Sequence, residues 1–428
     1  MEDKMIKKFY ERFNESVYII KLKNGMQVHI LPKEEPYFTT YVELSVPFGA
    51  LDLNYKDKEE MVSTPYGTAH FLEHKIFAMP DGDAFGKFSA LGVDANAMTS
   101  YNQTSYLFVA TKNVIEALTH LFNMIDTPYF TTENVDHEKH IIAEELKMYL
   151  DDPNVVMQNR LTEMMYHHHP LKYDIGGTLE SIMDITSEIL TNVYHNFYHP
   201  SNRLVTIAGK VDVKALRAFF KAYDQKNPIK QPKIKTVYPK EPRKLVLKND
   251  VEIKDVGINK LMLGIKLVPS KLSKKDQIEK EIRITMMLNM LLGSSSITYA
   301  KLLEDKLINQ SFFINTTFEK HAENILIYAE SKKIMKLKKI LMKILIEDAS
   351  ELLTKEAFDR YKKVYLGQFI YALNNLETKA YLYGKYQHLG FSLYDIVELL
   401  KEITYEQLIE ELKGIQKKNI ATLIYKKA

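Results

Sequence analysis

The stretch His70-Phe71-Leu72-Glu73-His74 decides how the rest of this chain is read. On a helix, side chains four apart stand one above the other, so His70 and His74 reach a common point and Glu73 flanks it. Two imidazoles and a carboxylate on one face are the makings of a hydrolytic zinc site. The imidazoles ligate the ion, and the carboxylate takes a proton from the water it holds. The order is the inverse of the commoner His-Glu-x-x-His, and both orders are zinc-hydrolase patterns. Three fixed positions also arise by accident, so the pattern needs support from elsewhere in the sequence.

The chain has 428 residues, enough for two or three domains with separate cores. Hydrophobic content of 46% and charged content of 26% are those of a globular protein. The formal net charge of +3 is spread thinly, with lysines interleaved with acids, which argues against a nucleic-acid partner. No apolar run is long enough to span a bilayer, and the charged start MEDKMIKKFYERFNESVYIIKLKNG does not read as a secretory signal. There are no cysteines. Disulfides and thiolate ligands are thereby excluded, so any zinc must be held by histidine and carboxylate. A cytoplasmic location is the simplest expectation.

The stretch YDQKNPIKQPKIKTVYPKEPRK, residues 223–244, carries four prolines among lysines and predicts an extended linker. It divides the chain into a domain over 1–222 and another over 245–428. In the first, strands are predicted within 18–31 and 40–46, and a helix carrying the motif over 68–78. A strand pair follows at 93–99 and 104–110, then helices over 114–125, 133–150, 155–166 and 187–197, and a strand at 203–208. The second repeats the rhythm: a strand at 261–267, a helix over 274–292, strands at 312–318 and 324–329, helices over 334–352, 355–376 and 378–388, and a last strand at 421–425. The same order occurring twice predicts duplicated α+β domains. The run His167-His168-His169 could suggest a second metal site. Consecutive residues cannot all face one ion, and Pro170 follows at once, so a polar loop is expected. His137 and His140 read as helix-surface residues.

HFLEH, followed by DANAMTS, EKHIIAEELKMYLDDP, HPLKYDIGGTLESI and NFYHPSNRLVTIAGKVD, resembles the pitrilysin-type zinc peptidases, which include insulin-degrading enzyme and the mitochondrial processing peptidase. The likeness is strongest over 64–210 and is greatest to short bacterial members whose half-sized chains work in pairs. The resemblance implies two duplicated domains, each a mostly antiparallel sheet covered by helices, and one zinc per chain. It implies Glu145 as third ligand, with Glu138 seven residues earlier as its supporting carboxylate. Adjacent Glu144 is the competitor, about 100° away around the helix. Glu73 would be the general base. Asn96 and Ala97 would lie on an edge strand that binds the substrate peptide through its backbone, a mode that demands little of sequence. The implied partners are a peptide substrate and a homologous half-shell subunit, or a second copy. One departure stands out. Active relatives carry an arginine and, seven residues later, a tyrosine that hold the substrate carbonyl; here Leu303 and Gln310 occupy those places. The resemblance therefore implies a zinc endopeptidase subunit for short unstructured peptides, or a zinc-retaining accessory subunit that needs a partner to supply the arginine and tyrosine.

Overall fold

The computed structural model describes residues 5–226, 234–269 and 273–428. They fold as two compact units, each assembled from non-contiguous pieces of chain.

The first unit comprises Met1–Leu146, Asp174–Val237 and Tyr371–Tyr394. Its main sheet is built from β1 (Met5–Tyr10), β2 (Glu15–Lys21), β3 (Gln27–Pro32), β4 (Thr40–Val46), β5 (Asp94–Thr99), β6 (Thr104–Ala110) and β7 (Leu204–Gly209). The strand order is β1-β2-β3-β7-β4-β6-β5. β3 and β7 run parallel, and the other pairings in this sheet are antiparallel. Every residue of β4 is buried, because both of its faces are covered. Val42, Leu44 and Val46 join the core with Phe71 and Leu72 of the motif helix. Tyr41, Glu43 and Ser45 alternate to the opposite face.

The second unit comprises Lys147–Tyr173, Tyr238–Ile370 and Asp395–Ala428. Its sheet contains β8 (Asn249–Lys254), β9 (Lys260–Lys266), β10 (Phe313–Glu319), β11 (Ala322–Glu330) and β12 (Ile420–Lys427), in the order β8-β12-β9-β11-β10. As β3 lies parallel to β7 in the first unit, β8 lies parallel to β12 here. Laid over β3-β7-β4-β6-β5 of the first unit, this order matches strand for strand. The two units are therefore duplicates in topology, and the first carries β1 and β2 as an addition at one edge.

Continuous domains over 1–222 and 245–428 do not describe this arrangement. The helix Pro153–Met165 lies in the first stretch of sequence but belongs to the second unit, where it packs on β9 and β12. The helix Leu376–His388 lies in the second stretch but belongs to the first unit, packed on β7 and β4. A helix joins the sheet against which it buries its face, and chain proximity does not constrain that choice. A glycine on β9 permits one of these seats. A Cβ on Gly264 would come within 2.6 Å of Met165 Sδ and 3.0 Å of Leu161 Cδ2.

The proline-rich stretch is not a free linker over its described part, and 227–233 lie outside the described residues. Lys235–Thr236 pair with Asn54–Asp57, which pair in turn with Glu60–Ser63, in a small sheet of the first unit. In the second unit, Glu241 accepts the backbone N–H groups of His167, His168 and His169 at 2.8–2.9 Å and forms a 2.6 Å ion pair with Lys266. The histidine run is thus a turn folded around a carboxylate. The run forms a polar turn, as expected, with His169 buried in it and its Nε2 bonded to the Lys320 carbonyl at 2.8 Å.

Candidate metal centre

The helix Thr68–Ile76 buries Ala69, Phe71, Leu72 and Ile76, which leaves His70, Glu73 and His74 on its less buried side. Its start is fixed by backbone packed against backbone. Gly67 caps the helix at φ 85°, and a Cβ there would lie 2.3 Å from the Gly176 carbonyl oxygen. Gly177 meets the Tyr66 carbonyl in the same way, at 2.6 Å, and Ser181 Oγ donates to that carbonyl at 2.9 Å. The loop 174–181 therefore seats the histidine helix.

The second contributor is the helix Thr132–Leu150, which buries Val135, Ile142, Ala143 and Leu146. Glu145 falls half-buried beside the histidines, while Glu144 is exposed. One Glu145 oxygen is 3.7 Å from His70 Nε2 and the other is 3.6 Å from His74 Nε2. These separations are long for hydrogen bonds but close to the roughly 3.4 Å expected between ligand atoms around one tetrahedral zinc. A ligand atom from each of His70, His74 and Glu145 lies within 4.8 Å of the other two. Among the described residues this is the group of His, Asp and Glu arranged to hold a metal ion. With two nitrogens and one carboxylate, the donor set suits zinc and leaves a fourth position open.

The surroundings orient these ligands. Glu138 accepts from His74 Nδ1 at 3.1 Å and from Lys75 Nζ at 3.3 Å. That bond turns His74 Nε2 toward the cluster, the carboxylate–histidine arrangement seen behind many metal ligands. Burial would raise the Glu138 carboxyl, but the His74 bond and the Lys75 charge outweigh it and hold it below its ordinary value. Burial, with the neighbouring His74, pushes His70 down and keeps its ring neutral, as a ligand must be. For His74, burial alone would lower the value; its bond to Glu138 and the nearby carboxylates raise it.

Glu73 sits beside the cluster, and burial raises its carboxyl. Thr99 Oγ1 donates to Glu73 Oε2 at 2.5 Å. Thr99 ends β5, the outermost strand of its sheet, on which Asn96 and Ala97 also lie. The Ala97 N–H donates to Asn96 Oδ1 at 2.8 Å. The structure thus brings Glu73, His70, His74, Glu145 and Glu138 together and sets Asn96 and Ala97 on the adjoining open edge. Leu303, at the end of the helix Ile297–Glu304, and Gln310 are both exposed in the second unit. His137 and His140 are exposed on the glutamate helix. Sequence reasoning missed Thr99, Lys75 and the Gly67–Gly176 contact. Thr99 and Gly176 stand inside motifs quoted above, but nothing in their spacing ties them to Glu73 or to the histidine helix.

Residues 59–179 match the Insulinase (Peptidase family M16) family, and residues 184–365 match the Peptidase M16 inactive domain. The chain belongs to the M16 peptidases. It is 37% identical over 404 residues to the zinc protease YmfH of Bacillus subtilis, covering 93% of this chain and 94% of that protein. An M16-like peptidase from Alicyclobacillus acidocaldarius shares its fold with a TM-score of 0.90 and 27% identity, over 97% of this chain and 99% of the other. The periplasmic protease PqqL of Escherichia coli, at 18% identity, shares the fold with a TM-score of 0.73; all of this chain matches 48% of that one. In length, this M16 chain corresponds to half of PqqL. The division between the matched families agrees with the chemistry, since the metal-holding group lies in the part that matches the insulinase family.

Proposed function

We propose that this M16 chain is a zinc-dependent endopeptidase subunit that hydrolyses short, unstructured peptides. The observation that carries this reading is the convergence of His70, His74 and Glu145 with the half-buried carboxylate of Glu73, next to an open strand edge. When bound, zinc supplies Lewis-acid polarisation of the scissile carbonyl and an acidic water near neutral pH. Glu73 accepts the proton of the attacking water and returns it to the leaving amine. β5 lays the peptide out by strand addition, with a substrate carbonyl replacing Asn96 as acceptor for the Ala97 N–H.

A homologous partner completes the site. Leu303 and Gln310 offer no donor to a developing oxyanion, apart from the glutamine amide, and losing one such donor typically costs about 10²- to 10³-fold in rate. The isolated chain is accordingly weakly active, and a homologous chain with the arginine–tyrosine pair raises turnover. The test is cleavage of a quenched fluorescent peptide by the chain alone, with that partner, and with chelator. Glu73→Gln should keep one zinc per chain and abolish turnover in the active assembly. Full turnover by Glu73→Gln would sink the general-base assignment, and full activity of the lone chain would sink the partnership.

A further inference from the structure

We infer that Thr99 is the positioning residue of the base, tying Glu73 to the same strand that receives the peptide; this rests on the reading of Glu73 as the base. Among the described residues, the Thr99 hydroxyl is the group hydrogen-bonded to the Glu73 carboxylate, at 2.5 Å. A hydroxyl donating to a carboxylate makes a charge-assisted bond, stronger than a neutral one. It occupies one oxygen, Oε2, and leaves Oε1 to meet the water. A glutamate side chain without such an anchor keeps several rotamers, and each unproductive one removes the base from its water.

The anchor is itself held by its neighbours. Thr99 pairs with Thr104 of β6. Thr104 is fully buried, and its hydroxyl donates to the Phe48 carbonyl at 2.9 Å. The next residue, Ser100, is closed onto Gln103 by its N–H at 2.8 Å and its hydroxyl at 3.0 Å. Along a strand, alternate side chains share a face, so Thr99 and Ala97 point the same way two residues apart. The residue that meets the peptide backbone and the residue that aims the base are therefore parts of one strand. The strand that receives the peptide already holds Glu73 in place before a peptide arrives.

The test compares Thr99→Val, which keeps the shape and loses the donor, with Thr99→Ser, which keeps the donor. It uses the assembly that turns over peptide. Thr99→Val should bind one zinc and unfold at the native temperature, yet lose roughly 10- to 100-fold in kcat with KM little changed. Thr99→Ser should stay within about 3-fold of the native rate. A crystal structure of each variant gives a readout free of turnover: Glu73 should hold one conformation in the native and serine chains and several in the valine chain. Should Thr99→Val not fold, Thr99→Ala carries the same comparison. Native kcat in both donor-less variants, with Glu73→Gln inactive, overturns the role of Thr99 and leaves the base standing. Equal losses in Thr99→Ser and Thr99→Val also overturn it, since the hydroxyl would not be the feature that matters. An active Glu73→Gln overturns the reading beneath it.

Discussion

Glu144 and Glu145 are neighbours in the chain with opposite surroundings, one exposed and the other within 3.7 Å of both histidines. Glu145→Gln should therefore weaken zinc binding by at least ten-fold, whereas Glu144→Gln, acting through a screened field, should change it little. Metal titration of the two variants decides between them, and the reverse order would move the ligand by one residue. Glu43 makes a different prediction. It is 1% exposed on β4, hydrogen-bonded to Ser105 at 2.6 Å and Gln103 at 3.4 Å. Burial pushes its carboxyl up from 4.5 to about 7, against the smaller opposing effect of Ser105. The folded chain thus holds this proton more tightly than the unfolded one. The resulting penalty is absent below pH 4.5, grows as pH rises, and is complete above about pH 7. Glu43→Gln stays neutral, so its stability relative to the native chain should rise by about 2–4 kcal/mol between pH 5 and pH 8. Urea unfolding of both proteins across that range measures the difference, and a flat difference would place Glu43 ionised in the fold. The histidine pair was legible because helical spacing places i and i+4 together, and Glu145 because of the family resemblance. Glu43 was not, because a lone acid in a strand carries no sign of what covers it.

Between elements, the contact that matters most to the site is backbone on backbone. Gly67 combines a positive φ with a carbonyl oxygen 2.3 Å from where its Cβ would stand. Gly67→Ala should push the 174–181 loop from the motif helix, costing roughly 1–3 kcal/mol of stability. It should also weaken zinc binding, because His70 lies one turn inside the disturbed end. Denaturant midpoint and metal affinity measured on one preparation check both effects; an unchanged affinity would separate the loop from the site. Most helices and central strands followed from apolar periodicity, within a few residues at their ends. β1 and β8 did not. Met5–Tyr10 and Asn249–Lys254 lie at sheet edges, are largely exposed, and lack the continuous apolar face on which such a reading depends. The repeated order of elements predicted a duplication, but the matching strand orders, including one parallel pair in each unit, could be seen only once the sheets had formed.

For the molecule as a whole, the exchanged helices predict what a cut chain will do. A fragment of 1–222 keeps β4 and β7 but lacks Leu376–His388, which packs on them, and it retains Pro153–Met165 without β9 and β12. Expressed alone it should aggregate or bind a hydrophobic dye, and co-expression with 223–428 should restore a soluble complex. A monodisperse, cooperatively folding 1–222 would show that the exchange is dispensable. The sequence by itself determined the family and pointed to the candidate site: the histidine pair with Glu73 and the absence of cysteine are read from helical spacing and residue types, which a linear string records, and Glu138 and Glu145 follow from the family resemblance. It also determined that two similar sets of elements follow one another. Tertiary structure alone decided which helix covers which sheet, that Glu241 gathers the histidine turn, and that Thr99 reaches Glu73 across 26 residues of chain. Each of these joins groups whose positions depend on how separate elements pack. Packing answers to burial and shape over the whole fold, not to distance along the chain.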